Sequence, residues 1–240
     1  MLVACSILTS MSQPESFILL EKAIGVSFRN KDYLVQSLTH RSALRQSRSN
    51  GHNERLEFLG DAVLELVVTD YLYRFSEKSE GELTSWRSAL VKGEHLATVA
   101  RELKLGDYLY MSKGEEASGG RDKPSTLANA LEALIGAIYI DQDFEIAAVF
   151  CNDFILVRLN EILALGKHRD DKSYFQEKSQ ETCGITPHYE VIEESGPDHD
   201  KQFVCAVFIG EEEVAKGEGN SKQRAEQSAA SAGVKAKGWE

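Results

Sequence analysis

The sequence predicts two domains, an all-α domain over residues 12–165 and an α+β domain over residues 171–240 with the order α-β-β-β-α, joined by a linker at 166–170. Three observations carry this. Apolar residues recur at helical spacing from Ser12 to about Leu165. After Pro187 the apolar period changes to two, the mark of half-buried strands. Between the two patterns, Leu165-Gly-Lys-His-Arg-Asp-Asp171 has the short polar composition of a connection. A length of 240 residues accommodates one large or two small domains, and no internal repeat is visible.

Phe17, Leu20, Ala23 and Ile24 form a first helical stripe, and Leu34 and Leu38 a second. Further helices are expected around Asp61–Phe75, Glu80–Lys104 and Asp143–Ala164. Gly106 to Lys123 is rich in Gly and charge and reads as a connecting segment, with a loop at Lys113–Lys123. Ser125 to Ile140 is apolar nearly all round, so it should be a buried helix, capped by Ser125 or Thr126 behind Pro124. In the second domain Lys172 to Thr182 opens as a helix. Strands follow at His188 to Glu194, at Gln202 to Ile209 with Phe203, Cys205, Val207 and Ile209 on one face, and at Val214 to Glu218. Glu211-Glu-Glu213 is expected to make the second turn. Gly219 to Ala230 opens the last helix, where Ala225, Ala229 and Ala232 form a small-residue stripe that lets it lie close on the sheet.

The formal charge is −11. Residues 1–169 hold 19 basic and 23 acidic side chains and residues 170–240 hold 8 and 15, so both parts are acidic. Taken alone, that argues against a polyanionic partner, because phosphate binding is driven by Lys and Arg. Any such contact must come from local clusters, with modest, salt-sensitive affinity per subunit. Cys5, Cys151, Cys183 and Cys205 are scattered without metal-ligand or disulfide spacing and are expected as isolated buried thiols in a reducing cytosol. No apolar run reaches 18 residues, so no membrane span is expected. Met1 to Ser10 is apolar but lacks a basic leading region. Met11 opens a more ordinary start, which makes the first ten residues readable as an extension.

The densest chemistry lies in Asn53 to Leu64, Asn-Glu-Arg-Leu-Glu-Phe-Leu-Gly-Asp-Ala-Val-Leu. Glu54, Glu57 and Asp61 are spaced by three and four, which stacks carboxylates on one helix face. Like charges so placed repel, and a hard divalent cation with oxygen ligands offsets the repulsion. The competing reading is a solvated acidic stripe. Leu56, Phe58, Leu59, Val63 and Leu64 thread the same segment, and Gly60 sits mid-helix at a propensity cost of about 1 kcal/mol. On the second, apolar helix Asn129 and Glu132 lie three apart. A carboxylate there must be paired, protonated or metal-bound, and no Lys or Arg lies between Ser125 and Ile140. Pairing with a distant Arg is the alternative to a shared Mg²⁺ site.

Asn53 to Leu64 resembles the signature of the ribonuclease III family. Thr39-His40-Arg41-Ser42 upstream and Leu127 to Ile140 downstream match that family in order and spacing. The resemblance implies an all-helical endonuclease domain that cuts double-stranded RNA with Mg²⁺, with Mn²⁺ as a substitute. It assigns metal binding to Glu57, Asp61 and Glu132, with Asp61 and Glu132 as the catalytic acids and Glu54 in a supporting role. Most family members carry an acid where this chain has Asn129. The amide keeps a carbonyl oxygen for the metal or its water but removes a charge. In the family the aromatic at Phe58 docks into the partner subunit, which implies a homodimer; an ordinary core Phe is the competing reading. Arg121 and Lys123, just before the second acidic helix, read either as phosphate holders or as a solvated loop.

The second domain resembles a double-stranded-RNA-binding domain, which docks by shape on A-form RNA. The resemblance assigns Ser173, Gln176, Glu177 and Gln180 on its first helix to 2′-hydroxyls and minor-groove edges. It assigns His199 and Lys201 to the loop between the first two strands, with a plain exposed loop histidine as the alternative. Asn220, Ser221, Lys222 and Arg224 open the last helix toward phosphates. The family's usual second Lys there is Gln223. The whole reading is a cytoplasmic, homodimeric endoribonuclease acting on rRNA and mRNA precursors, leaving 5′-phosphate and 3′-hydroxyl ends, with no membrane and no small-molecule substrate. The alternative is an RNA-binding or ribosome-associated protein that kept the fold without catalysis, which Asn129 alone favours.

Overall fold

In a computed structural model of the chain, described over residues 13–43, 51–164, 170–197 and 201–239, the first domain is built around one helix hidden from water. Pro124–Asp141 (α8) is buried at every position from Ala133 to Ile138, as its nearly uniform apolar sequence requires. Its start differs from expectation. Neither Ser125 nor Thr126 caps it: Pro124 opens the helix and Lys123 is the cap residue without a side-chain bond. Proline suits that first position because its ring pre-sets φ and its missing N–H would be unpaired there anyway.

Around α8 lie Gln13–Ile24 (α1), Lys31–Ser37 (α2), Glu54–Phe75 (α3), Glu80–Val91 (α4), Gly93–Glu102 (α5), Leu105–Tyr108 (α6), Lys113–Ala117 (α7), Phe144–Phe154 (α9) and Leu159–Ala164 (α10). The single helix expected over Glu80–Lys104 is two, broken where Lys92 takes an extended conformation. A true capping box, Ser79 with Glu82, starts α4. The stretch Asp143–Ala164 likewise breaks at Ile155 into α9, a 3-10 turn and α10. The presumed connection Gly106 to Lys123 carries α7 and most of α6. On α3 the buried residues Leu56, Gly60, Val63, Leu64, Val67, Val68 and Leu72 follow helical spacing, and this stripe packs most extensively on α8.

Lys104 joins α5 to α6 with φ 55° and ψ 33°, the left-handed region. It is the one non-glycine residue with positive φ among those described, and a side chain there costs about 1 kcal/mol or more. Lys104→Gly is expected to raise stability by about 0.5 kcal/mol, the relieved strain exceeding the added chain entropy of glycine. Urea unfolding checks this; a lower midpoint would show that the lysine side chain holds the corner.

The chain divides into two compact units, Met1–His168 and Arg169–Glu240. The second has Asp171–Cys183 (α11), three antiparallel strands in the order β1-β2-β3, His188–Ser195, Gln202–Ile209 and Glu212–Gly219, and Lys222–Ala236 (α12). Asp170, assigned above to the linker, is the N-cap of α11 and accepts the Ser173 N–H at 2.8 Å. The second turn is Gly210-Glu211, since Glu212 and Glu213 already pair with β2. Gly210 supplies the φ of +60° that a two-residue hairpin needs. Phe203, Cys205, Val207 and Ile209 form the inner face as expected, packed on Phe175, Ala225, Ala229, Ala230 and Val234. Ala232 is only half-buried. Gly233 takes the tight position instead, where a Cβ would lie 2.7 Å from the Phe175 ring. Cys151 and Cys205 are buried, but Cys183, at the end of α11, is exposed. Among the described residues no helix is long and apolar enough to cross a membrane.

Candidate metal centre and nucleic-acid interface

Two glycines decide where the carboxylates meet. Gly60 on α3 faces Glu132 and Gly136 on α8 so closely that a Cβ on Gly60 would lie 1.8 Å from the Glu132 carbonyl oxygen. A Cβ on Gly136 would lie 2.2 Å from the Leu56 carbonyl oxygen. The two backbones therefore touch. In sequence alone Gly60 shows only a propensity penalty, and Gly136 carries no signal that sets it apart. The touching point lies within one turn of Glu57, Asp61, Asn129 and Glu132, and brings the two acidic segments into one electrostatic neighbourhood.

Within it the groups perturb one another. Burial pushes the Glu132 carboxyl up to about 7, helped by the charges of Asp61 and Glu57. Burial also raises Glu57, and Glu54 and Asp61 add to this, while a hydrogen bond from the Asn129 side chain pulls it back down. Glu57 Oε2 is buried with no hydrogen-bond partner among the described residues. Asp61 is exposed. Glu54 is paired with Arg41 at 3.5 Å. Among the described residues no group of three or more His, Cys, Asp or Glu side chains forms a ready metal cage. The backbone assembles the oxygen donors, and the side chains do not close around one point.

Two other buried acids show what a structural carboxylate looks like in this fold. Glu21 accepts the Phe28 N–H at 2.6 Å and pairs with Lys31. Asp141 accepts the N–H groups of Arg29 at 2.7 Å and Asn30 at 2.8 Å. Desolvation works against the Asp141 charge, yet these donors hold its pKa below the usual carboxylate range. Glu57 and Glu132 are raised instead, and no distant Arg pairs with either among the described residues. An all-oxygen donor set with an unpartnered buried oxygen and mutual repulsion fits a hard divalent cation.

A cleft of about 470 Å³ opens beside these groups, lined by Glu54, Glu57 and Asn129 together with His40, Arg41 and Lys123. Arg121 is not available to it as a phosphate holder. Its guanidinium is spent on the carbonyls of Gly106 and Leu109, both at 2.8 Å, and on Glu116 at 2.7 Å. It braces the segment leading to α8, while Lys123 remains exposed. Phe58 is 80 % exposed, which overturns the core reading. Along α3 it heads a row of exposed residues with Ala62, Leu66 and Tyr73.

In the second unit Ser173, Gln176, Glu177 and Gln180 are all exposed on one face of α11. Asn220, Lys222 and Arg224 are exposed around the start of α12, and the Ser221 side chain caps the helix by accepting the Arg224 N–H at 3.3 Å. The Arg224 guanidinium turns back to the Asn220 side chain at 3.2 Å. Lys201 pairs with Glu194 across the strands. His199 lies outside the described residues, as do residues 1–10 and most of the linker.

A family model described as "Ribonuclease-III-like" matches residues 30–159, and one described as "Double-stranded RNA binding motif" matches residues 172–236. The chain is 47 % identical to Ribonuclease 3 of Pelotomaculum thermopropionicum over 90 % of its length and 91 % of that protein. It is 44 % identical to Ribonuclease 3 of Campylobacter fetus, covering 88 % and 93 %. Among solved structures it is similar to the nuclease domain of ribonuclease III from Campylobacter jejuni, with TM-score 0.54 and 43 % identity over 62 % of this chain and 97 % of that one. A second structure of that domain, described with a region involved in dimer formation, gives TM-score 0.53 and 45 % identity over 57 % and 93 %.

Proposed function

The chain belongs to the ribonuclease III family and is an endoribonuclease of double-stranded RNA, and on that premise we propose how its residues divide the work. Glu57, Asp61 and Glu132 hold Mg²⁺, or Mn²⁺ in its place, with the Asn129 carbonyl oxygen beside them and Glu54 in support. The observation that carries this is the glycine-to-glycine crossing of α3 and α8, together with a buried Glu57 oxygen that has no partner among the described residues and a Glu57 charge that acts on Glu132. When bound, the cation supplies Lewis-acid activation of water for in-line attack on the phosphodiester and stabilises the leaving oxygen. Lys123 and Arg41 draw the strand into the cleft, and Glu54 restrains Arg41. The products carry 5′-phosphate and 3′-hydroxyl ends, and the cellular substrates are rRNA and mRNA precursors in the cytoplasm. The exposed faces of α11 and the start of α12 read the A-form duplex. The reading is tested by incubating long duplex RNA with the full chain and Mg²⁺: cleavage abolished by chelation supports it, and binding without cleavage at any Mg²⁺ concentration overturns it.

The protein acts as a homodimer through the exposed row on α3. Phe58→Ala should move it toward monomer and lower cleavage, because an aromatic anchor at an interface commonly contributes about 2 kcal/mol or more. Sedimentation showing an undiminished dimer would remove Phe58 from the interface.

Asn129→Asp should lower the Mg²⁺ concentration for half-maximal cleavage. The new carboxylate attracts a hard cation more strongly than a neutral amide oxygen does. It also removes the amide donor that now steadies Glu57, so without cation the variant should melt lower and gain more from Mg²⁺. A cleavage midpoint unchanged or raised would mean that the amide matters for what it donates.

A further inference from the structure

His40 lines the catalytic cleft and the division of labour above gives it no task. It sits at the corner after α2, its backbone N–H fixed to the Tyr110 carbonyl at 2.9 Å. The ring is oriented by one side only. Nδ1 accepts the Ser42 N–H at 3.3 Å and lies 2.8 Å from Ser42 Oγ. That hydroxyl oxygen is held in turn by the Ser112 N–H at 3.0 Å. With the Ser42 N–H turned to Nδ1, this contact favours the tautomer that carries the ring proton on Nε2. Burial lowers the pKa of the ring, Arg41 and Lys123 push the same way, and Glu115 and Glu54 oppose them. The imidazole is thus a neutral donor whose Nε2 has no partner among the described residues.

We propose that His40 is a substrate-contacting residue, donating its Nε2–H to a phosphate oxygen of the RNA strand lying in the cleft; this rests on the reading of the cleft given above. The rim cations Arg41 and Lys123 make that position favourable for an anionic oxygen, and a hydrogen bond to a charged acceptor is stronger than one to a neutral group. Among the described residues His40 contributes to the corner through Nδ1 and its backbone only, which leaves Nε2 available to the strand.

The test compares single-turnover cleavage of duplex RNA by the full chain with its His40→Ala, His40→Gln and Glu132→Gln variants in Mg²⁺. His40→Ala should lose about ten- to a hundredfold in rate at subsaturating RNA, the worth of one hydrogen bond to a charged group. His40→Gln, whose amide nitrogen reaches toward the place of Nε2, should recover most of it, although both variants lose Nδ1 and should melt slightly, and equally, below the parent chain. A rate equal to the parent's in His40→Ala, or equal losses in Ala and Gln, overturns the proposal. So does a defect in His40→Ala that vanishes on a duplex with 2′-deoxy nucleotides flanking the cleaved bond, which would assign the contact to a 2′-hydroxyl. If the parent cleaves, Glu132→Gln does not, and His40→Ala is unaffected, the inference on His40 fails alone. A parent chain that does not cleave overturns the underlying reading and this inference with it.

Discussion

Glu132→Gln is expected to lower cleavage of duplex RNA by about a thousandfold or more at saturating Mg²⁺, while duplex binding changes little. Removing one group that stabilises charge at a reacting centre has effects of about a hundred- to a thousandfold, and Glu132 is also assigned a share in holding the cation. It lies at the helix crossing and is not one of the residues assigned to RNA docking, so binding should persist. Turnover near normal would refute the role. The same variant carries a stability signature. Glu132 has a folded pKa of about 7 against 4.5 for an ordinary glutamate. Between those values the folded chain keeps a proton that the unfolded chain has released, so unfolding free energy falls as pH rises through that window. Gln has no proton to lose. In the presence of a chelator the melting temperature of the variant, relative to the parent, should therefore climb from pH 4.5 toward 7. Parallel pH profiles would show that Glu132 does not bear the burden assigned to it.

Gly60→Ala is expected to destabilise the first domain by about 3 kcal/mol or more, at the upper end for overpacking. The opposing effect is real, because alanine in a helix interior is favoured over glycine by about 1 kcal/mol. Sterics win here because the obstruction is backbone. The new Cβ would stand 1.8 Å from the Glu132 carbonyl oxygen and 2.8 Å from the Gly136 nitrogen, and neither can swing away as a side chain tip would. The helices must part, which also separates Glu57 and Asp61 from Glu132, so surviving protein should need more Mg²⁺ for cleavage. A melting temperature at or above that of the parent would show that helix propensity dominates and that the crossing is loose.

The sequence carried the parts of this protein that follow from periodicity. The buried α8, the stripe of α3 and the alternation in β2 were legible because burial on one face leaves a regular apolar signal. Breaks inside helical runs were not legible. Lys92, Lys104 and Ile155 are ordinary helix formers or nearly so, and the helices end there because neighbouring elements must turn. Reading Gly60 as a local penalty missed its purpose, since a glycine that admits another backbone looks in one dimension like any other glycine. Arg121 misled for a related reason. A basic residue near an acidic site suggests phosphate, yet its three partners are brought to it only by folding. The pairing of Lys201 with Glu194 was hidden in the same way.

The burial of α8 from Ala133 to Ile138 has a consequence for how the enzyme breathes. Amide hydrogens in the middle of such a helix are expected to exchange with solvent mainly through opening of the whole domain. Glu132 is carried by that helix, and Glu57 and Asp61 by the helix in backbone contact with it. The acids thus ride on a part of the first domain expected to exchange slowly. The spacing of the carboxylate backbones is therefore expected to hold constant from one substrate to the next.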